Sequence, residues 1–364
     1  MKSSDIIIVG GGIIGLSLAI SLRKLGLGVL IVERGEPGRE ASYAAAGMLA
    51  GSGLEIPPAL RILAEASARL YPEFVHEIED ESGMRVDLRD QGTILLSSDG
   101  SFPESAEPLS FERLQALEPA LAAGRRRPAL HTSSVESSGE TSAAYLSECS
   151  VDPPGLVAAA IKAAHHRGVD ISSGSEVKDL LTANSRVAGV QTDKTFYAAP
   201  VVVNCAGAWA GGIGPHRFPV RPVRGQMLAA VGGPRLKHVV RAEKVYLVPR
   251  SDGRLVIGST LEEVGYNKQT EVNTIQRLFH AALEVAPGLA ESRVHGDWAG
   301  LRPGTPDDLP ILGESELEGY FVATGHFRDG ILLAPITAQV MTDTITGRTP
   351  AYDLKSFSPA RFHI

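Results

Sequence analysis

The amino-terminal segment constrains the fold of this chain more than any other, because strand-like and helix-like patterns alternate there around a glycine-rich turn. Residues 5–9 (Asp-Ile-Ile-Ile-Val) are typical of a buried parallel strand, and a turn from Gly10 to Gly15 follows directly. Residues 15–25 have helical character, and residues 28–32 (Gly-Val-Leu-Ile-Val) predict a second strand. Together these elements predict a βαβ unit at the start of the chain.

The turn has the spacing Gly-x-Gly-x-x-Gly, in which each glycine has its own physical task. Gly10 permits a tight turn, Gly12 lets the backbone approach a pyrophosphate, and Gly15 lets the helix pack closely on the strand. The amino terminus of the helix then offers free N–H groups and a favourable dipole to phosphates. Glu33, at the end of the second strand, can accept hydrogen bonds from a ribose diol. The pattern predicts a dinucleotide site, and a structural turn without a ligand is the alternative.

Composition and charge argue against several classes of partner. The formal net charge is −7, whereas nucleic acids and anionic membranes both attract clustered Lys and Arg. Glycines interrupt the apolar run from Ile6 to Leu22, and no other segment approaches the length of a membrane span. We therefore expect a cytoplasmic protein that binds neither nucleic acid nor membrane.

The chain has 2 cysteines, Cys149 and Cys205. Neither has a neighbour at metal-ligand spacing, so no metal site is expected. Two cysteines in 364 residues do not make a disulfide framework, which fits a reducing compartment.

A length of 364 residues predicts two domains. Both ends and a middle piece show α/β patterns, whereas residues 216–262 are long strands separated by turns, with a hairpin turn at residues 251–253. We expect an α/β two-lobe fold, in which a mainly antiparallel β-sheet domain for the substrate is inserted into a Rossmann-like nucleotide-binding domain. The nucleotide-binding domain is assigned residues 1–83, 145–212 and 300–364, and the substrate domain residues 84–144 and 213–299.

Several further elements are predicted from local patterns. Asp152 and the prolines after it are typical of a helix start, because Asp can cap the helix and Pro suits its first turn. Residues 98–148 are rich in Ser, Pro and Glu and are expected to be irregular. Helices are predicted at residues 57–82, 152–167, 270–286 and 331–346.

Two features favour FAD over NAD in the dinucleotide site. The first is a run of tiny residues from Ser42 to Met48, which predicts backbone packed against a large planar cofactor, although a small-residue loop beneath a helix is the alternative. The second is the strand at residues 320–323, which leads through the loop from Gly325 to Gly330 into a helix. The positive end of that helix could stabilise the charge that develops on a reduced flavin.

Segments spread from end to end resemble one family. They are Val9 to Gly15, Ala44 to Leu49, Tyr246 to Arg250, Gly253 to Gly258, Trp298 to Thr305 and Gly325 to Pro335. With them the chain resembles the D-amino acid oxidase superfamily of FAD-dependent oxidoreductases, and most closely the glycine oxidases of thiamine biosynthesis (ThiO type). The last two segments are the most specific, whereas many flavoproteins share the amino-terminal glycines.

The resemblance implies where FAD binds. The expected contacts are Gly10, Gly12, Ile13, Ile14, Gly15, Glu33, Arg34, Ala41, Ser42, Ala46, Gly47, Met48, Val177, His326, Phe327, Arg328, Asp329, Gly330, Ile331 and Leu332. His326 is expected to contact FAD indirectly or through its backbone and to transfer no proton. A covalent flavin of the sarcosine oxidase type needs a cysteine near the carboxy-terminal loop, and none follows Cys205, so FAD is expected to be noncovalent.

The resemblance also implies that Arg302 and Tyr246 bind the substrate carboxylate, with Arg328 near the active site. A planar guanidinium can bind a carboxylate with two hydrogen bonds and so fix the substrate Cα–H against the flavin. A structural salt bridge of Arg302 and a packed aromatic role of Tyr246 are the alternatives. Where the family pattern has His, Met and Gly, this chain has Lys244, Leu261 and Ala50, which leaves the preferred amino acid open.

The expected reaction is oxidation of glycine and small D-amino acids, with sarcosine as a further candidate, to the imine and then the 2-oxo acid. Dioxygen becomes hydrogen peroxide, and no acid–base side chain is nominated because the flavin accepts the hydride. The expected partners are a small amino acid and O2, and the resemblance implies a homo-oligomer. A sarcosine oxidase or D-amino acid dehydrogenase on the same scaffold, a nicotinamide-dependent dehydrogenase and a binding protein without redox activity are the alternatives.

Overall fold

The computed structural model describes residues 4–51, 53, 55–122, 142–215 and 217–362. In the first half of the chain the elements are β1 (Ile6–Val9), α1 (Ile13–Lys24), β2 (Val29–Val32), α2 (Ala41–Ala44), β3 (Met48–Leu49), α3 (Arg61–Ser82), β4 (Leu88–Arg89), β5 (Thr93–Ser97), β6 (Glu107–Leu109), α4 (Phe111–Leu117), α5 (Pro119–Ala122), β7 (Ser142–Leu146), β8 (Cys149–Val151) and α6 (Pro153–His166). In the second half they are β9 (Asp170–Ser172), β10 (Val177–Ala183), β11 (Arg186–Thr192), β12 (Phe196–Ala198), β13 (Val201–Asn204), β14 (Arg221–Val231), β15 (Val239–Arg241), β16 (Tyr246–Pro249), β17 (Leu255–Gly258), α7 (Val272–Val285), β18 (Arg293–Gly304), β19 (Ile311–Glu314), β20 (Tyr320–Thr324) and α8 (Ala334–Ile345).

A six-stranded sheet has the order β19-β20-β13-β1-β2-β9, and its strands are parallel except for β19. All four residues of β1 are buried, as expected for a parallel sheet covered on both faces. Successive side chains point to opposite faces, so Ile6 and Ile8 enter a core with α1 and α8, whereas Ile7 and Val9 enter another. The predicted βαβ unit is thereby confirmed.

A second sheet has eight strands in the order β18-β14-β17-β16-β15-β5-β7-β6. Its pairs are antiparallel except for β15 with β5. One face packs against α7, where Leu278 and Ala282 are buried. The other face carries Met227, Val248 and Val256, which pack against the small-residue run. This second face is therefore directed at the nucleotide-binding part of the molecule.

Two smaller sheets complete the described part of the chain. β10, β11 and β12 form an antiparallel sheet. β8 pairs with both β3 and β4, and the register of Met48 with Ser150 joins the small-residue run to the segment before α6. Asp152 caps α6 and accepts a hydrogen bond from the Gly155 N–H at 3.2 Å, as its sequence pattern predicts.

The expectation that residues 98–148 are irregular is wrong for much of their described part, which contains β6, α4, α5 and β7. Ser110 caps α4 by accepting a hydrogen bond from the Arg113 N–H at 3.2 Å, and β7 buries Ala144 and Leu146. Tertiary burial therefore overrides a polar composition here; residues 123–141 of the segment lie outside the described residues. The division into domains stays a prediction, since β7 and β18 run through its boundaries at residues 145 and 300.

Within the described ranges, no helix is long and apolar enough to cross a membrane. The same part of the chain contains no group of three or more His, Cys, Asp or Glu side chains placed to hold a metal ion.

Candidate cofactor and substrate site

A cavity of about 1180 Å³ lies between the two large sheets. Its walls include the residues that directly follow the carboxyl ends of β1, β2 and β13, together with Thr324, the last residue of β20. Ligands of open α/β sheets bind in this position. The volume exceeds the roughly 300–1,000 Å³ of typical ligand pockets, so a dinucleotide and a small substrate can share the cavity.

The glycine turn forms part of the cavity wall. Gly10 has a φ of +112°, and a Cβ there would lie 2.4 Å from the Cys205 carbonyl oxygen. A Cβ on Gly15 would lie 2.1 Å from the carbonyl oxygen of Gly10, so the helix can approach the strand only with glycine at this position. Gly10, Gly12, Ile13 and Ile14 line the cavity, whereas Gly15 packs behind them. These contacts agree with the separate tasks that the spacing predicts.

Glu33 is held by the backbone beside the turn. Its Oε2 accepts a hydrogen bond from the Gly11 N–H at 2.8 Å, and its Oε1 accepts one from the Gly35 N–H at 2.8 Å. Carboxylate oxygens have further lone pairs, so Glu33, which lines the cavity, can still accept hydrogen bonds from a diol.

Arg34 belongs to a stack of planar groups that sequence reasoning did not find. Its Cζ lies 3.4 Å from the ring centroid of Trp209, and Trp209 stacks on Tyr266 with centroids 5.4 Å apart. All three residues line the cavity, as does Val177. Trp209 was open to prediction, because it closely follows β13 at the sheet edge where ligands bind.

The small-residue run lies along the cavity wall. Ala41, Ser42, Ala46, Gly47 and Met48 all line it, and Ser42 Oγ accepts a hydrogen bond from the Ile13 N–H at 3.0 Å. A Cβ on Gly47, whose φ is +74°, would lie 2.0 Å from the Val151 carbonyl oxygen. The cavity therefore combines three features: glycines with no room for a side chain, the amino terminus of a helix, and an acid held in place by the backbone. Together these features fit FAD.

The carboxy-terminal loop also lines the cavity, with its residues His326 to Ile331. Leu332 does not line the cavity, because it is 1% exposed and packs in the core with α3. Its carbonyl oxygen accepts a hydrogen bond from Ser67 Oγ at 2.6 Å. The helix that follows begins at Ala334, three residues later than predicted, since residues 331–333 still belong to the loop.

Two titratable groups of this loop have shifted pKa values. Burial lowers the pKa of His326 to about 3, and its Nε2 lies 3.1 Å from Thr337 Oγ1. Burial also raises the pKa of Asp329 to about 7; the Glu55 and Asp308 charges add to that rise, while Arg328 and Arg241 oppose it. A neutral His326 is consistent with its expected indirect role.

Arg302 lies on β18 and lines the cavity. Its Nη2 donates a hydrogen bond to Ser259 Oγ at 2.7 Å, and its Nη1 donates one to the Thr260 carbonyl oxygen at 3.1 Å. Both acceptors are neutral, and no carboxylate of the described residues lies within salt-bridge distance of this guanidinium. Burial lowers the pKa of Arg302, and Tyr246 opposes that lowering. The alternative of a structural salt bridge therefore gains no support.

Two glycines make room for the predicted substrate residues. A Cβ on Gly225 would lie 2.2 Å from Arg302 Nη1, and one on Gly258 would lie 2.6 Å from the Tyr246 hydroxyl. That hydroxyl faces Met227 Sδ at 3.7 Å, a weak acceptor, so it remains available to a ligand. Sequence reasoning missed both glycines, because their neighbours come from other strands.

The remaining predicted positions lie around the cavity. Arg328 is exposed, with its Cζ 5.2 Å from the Phe327 ring centroid. Lys244, Leu261 and Ala50 line the cavity as well, and Leu261 is 54% exposed. All three positions that differ from the family pattern therefore border the cavity.

Neither cysteine is poised for a covalent bond to a cofactor. Cys205 lines the cavity, but burial raises the pKa of its thiol well above its usual range. Burial raises the pKa of the Cys149 thiol as well. Because the thiolate is the reactive form, both thiols are poor nucleophiles.

The comparisons with known proteins agree with this geometry. Residues 5–344 match the family described as FAD dependent oxidoreductase (DAO). Glycine oxidase of Pseudomonas aeruginosa is 33% identical over 98% of this chain and 99% of its own length. The crystal structure of glycine oxidase from Geobacillus kaustophilus has a TM-score of 0.89 at 30% identity, with 99% of both chains covered.

The bifunctional protein ThiO/ThiG of Trichormus variabilis is 34% identical over 98% of this chain. The chain spans only 55% of that protein, about half the length of such bifunctional relatives. The resemblance found in the sequence motifs is confirmed over nearly the whole chain. The chain therefore belongs to the family of FAD-dependent oxidoreductases that includes the glycine oxidases, and FAD is its cofactor.

Proposed function

We propose that this enzyme catalyses the oxidative deamination of glycine and small D-amino acids, with sarcosine as a further candidate substrate. The amino acid, dioxygen and water become the 2-oxo acid, hydrogen peroxide and the released amine, which is ammonia from glycine and D-amino acids and methylamine from sarcosine. The observation that carries the proposal is the Arg302 guanidinium, which lies in the cavity and donates only to neutral acceptors among the described residues. A part-buried charge of this kind calls for an anionic partner, which a substrate carboxylate would supply.

Arg302 and Tyr246 would hold the substrate. The guanidinium keeps N–H groups beyond those bound to Ser259 and Thr260, so it can bind a carboxylate with two parallel hydrogen bonds. The Tyr246 hydroxyl can donate another, because its partner Met227 Sδ is a weak acceptor. With the carboxylate held by two residues, the orientations of the Cα–H relative to the cofactor are restricted.

FAD, when bound, supplies the two-electron chemistry, which takes a hydride from the substrate Cα and passes the electrons to dioxygen. The residues proposed to hold it are those of the glycine turn, Glu33, Arg34, the small-residue run, Val177 and the loop from His326 to Ile331. No side chain is assigned as an acid or base at Cα, because hydride transfer from a neutral amine needs none.

The relatives extend the proposal beyond the reaction. Similarity to ThiO-type proteins supports a role in thiamine biosynthesis. A cytoplasmic location, a homo-oligomeric state and the absence of nucleic-acid and membrane partners also remain proposals. D-amino acid dehydrogenase activity is the competing possibility, which differs in its electron acceptor.

One experiment tests the proposal. The purified holoenzyme is mixed anaerobically with glycine, sarcosine, D-alanine or L-alanine, the flavin absorbance is followed, and air is then admitted. We expect bleaching by glycine and D-alanine, followed by rapid return of the colour and formation of hydrogen peroxide. Bleaching without reoxidation by air would indicate a dehydrogenase, and no bleaching by any amino acid would overturn the proposal.

A further inference from the structure

Two side chains of the eight-stranded sheet bind backbone carbonyl groups of the small-residue run. Arg250 Nη2 donates a hydrogen bond to the Ala46 carbonyl oxygen at 2.5 Å. Trp298 Nε1 donates one to the Ala44 carbonyl oxygen at 3.1 Å. We call Arg250 and Trp298 the carbonyl clamp. The clamp joins the substrate sheet to a segment that lines the cofactor cavity.

The clamp lies on the same face of the sheet as the substrate residues. Side chains alternate between the two faces of a sheet along a strand, so Trp298 and Arg302, four residues apart on β18, lie on the same face. The same rule places Arg250, the residue after β16, on the face of Tyr246. Each strand thus supplies one substrate residue and one clamp donor, which are about 13 Å apart along the chain.

The electrostatic setting of Arg250 favours a geometric role over a contribution to stability. Arg250 is 5% exposed, and its Nε lies 3.2 Å from Asp152 Oδ1, the cap of α6. Its Nη1 is buried without a hydrogen-bond partner in the described part of the chain. An incompletely satisfied buried charge adds little net stability, whereas a charged donor fixes its acceptor firmly.

We propose that the carbonyl clamp consists of positioning residues, which hold the run from Ala44 to Met48, and the FAD against it, at one distance from Arg302. The inference rests on the proposed function, in which Arg302 binds the substrate carboxylate. Hydride transfer depends steeply on the approach of the reacting atoms, and a misplacement of about 1 Å can cost on the order of 100-fold in rate. Carboxylate binding depends on Arg302 and Tyr246, whereas the clamp hydrogen bonds go to the Ala46 and Ala44 carbonyl groups.

Two variants loosen the clamp in different ways. Trp298→Phe keeps an aromatic ring and removes the N–H, and Arg250→Lys keeps the charge and removes the guanidinium. The matched control is Arg254→Gln, because Arg254 also lies near Asp152, at 3.7 Å, but has no hydrogen bond to the run. Stopped-flow measurements give the rate of flavin reduction at saturating glycine and the dissociation constant for glycine. The visible circular dichroism of bound FAD reports its environment without turnover.

We expect each clamp variant to reduce its flavin roughly 10- to 100-fold more slowly at saturating glycine, with the glycine dissociation constant within about threefold of wild type. The circular dichroism of bound FAD should change in both variants and stay as in wild type in Arg254→Gln. Folded clamp variants with wild-type reduction rates and spectra would overturn the proposal. If the slower flavin reduction is explained wholly by loss of FAD from the clamp variants, the proposal is also overturned.

The proposed function can fail separately. If no amino acid reduces the wild-type flavin, the substrate assignment is wrong, and the circular dichroism still decides whether the clamp positions FAD.

Discussion

Two glycines that face each other across β14 and β18 are expected to have separable effects on substrate and cofactor. Gly225 is in register with Gly300. A Cβ on Gly225 would lie 2.2 Å from Arg302 Nη1 and 2.5 Å from Nη2, whereas one on Gly300 would lie 2.5 Å from the Ala44 Cβ. Alanine at the first position therefore displaces the substrate anchor, and alanine at the second displaces the run beside FAD.

The magnitude follows from these distances. Nonbonded heavy atoms approach to about 3.5 Å, so Gly225→Ala moves the guanidinium by roughly 1 Å. The Arg302 side chain can move without unfolding the strand, because the guanidinium is its flexible end. Loss of a charge-assisted hydrogen bond costs about 1.5–3 kcal/mol, which corresponds to roughly 10- to 150-fold weaker carboxylate binding.

The assay is titration of each holoenzyme with acetate, a carboxylate without an amine, followed through the flavin absorption spectrum. Gly225→Ala should weaken acetate binding and retain FAD, whereas Gly300→Ala should chiefly weaken FAD binding. Gly296→Ala is the control, because Gly296 lies on β18 and a Cβ there meets nothing within 4 Å. An FAD-loaded Gly225→Ala variant with unchanged acetate affinity would refute the reasoning.

The remaining predictions concern the same site. Arg302→Ala should weaken glycine binding by about 2–4 kcal/mol, roughly 30- to 1000-fold, and Arg302→Lys should restore only part of it; an unchanged dissociation constant would remove Arg302 from the site. Acid precipitation should release all flavin into the supernatant, and flavin in the pellet would contradict noncovalent binding. D-Alanine should reduce the flavin faster than L-alanine, because only one side-chain direction remains once the carboxylate and Cα–H are fixed; the reverse order in stopped flow would show that the pocket was misread. The pKa of Asp329 is raised to about 7 in the folded apoprotein. The folded protein therefore retains a proton that the unfolded chain releases near pH 4. Because of this difference, the free energy of unfolding falls as the pH rises from about 4 to about 7. Asp329→Asn should therefore raise the melting temperature of the apoprotein more at pH 8 than at pH 5, and an equal change at both pH values would contradict the shifted pKa.

The sequence by itself determined the elements whose signals are local. The turn from Gly10 to Gly15, the cap at Asp152 and the hairpin at residues 251–253 depend on residues a few positions apart, and all are present in the structure. Motifs along the chain also identified the family, which the relatives confirm. Local patterns failed at residues 98–148, where burial against the large sheet gave order to a polar segment.

Only the tertiary structure decided how the site is built around Arg302. The space for its guanidinium comes from Gly225, on a strand paired through long-range register. The two bonds of the carbonyl clamp join residues 204 and 254 positions apart in the sequence. Trp209 reaches the cavity because β13 lies beside β1 in the sheet. Such contacts depend on which strands pair and which sheet faces meet. Strand pairing and sheet packing are decided by burial over the whole chain, and no local sequence pattern encodes them.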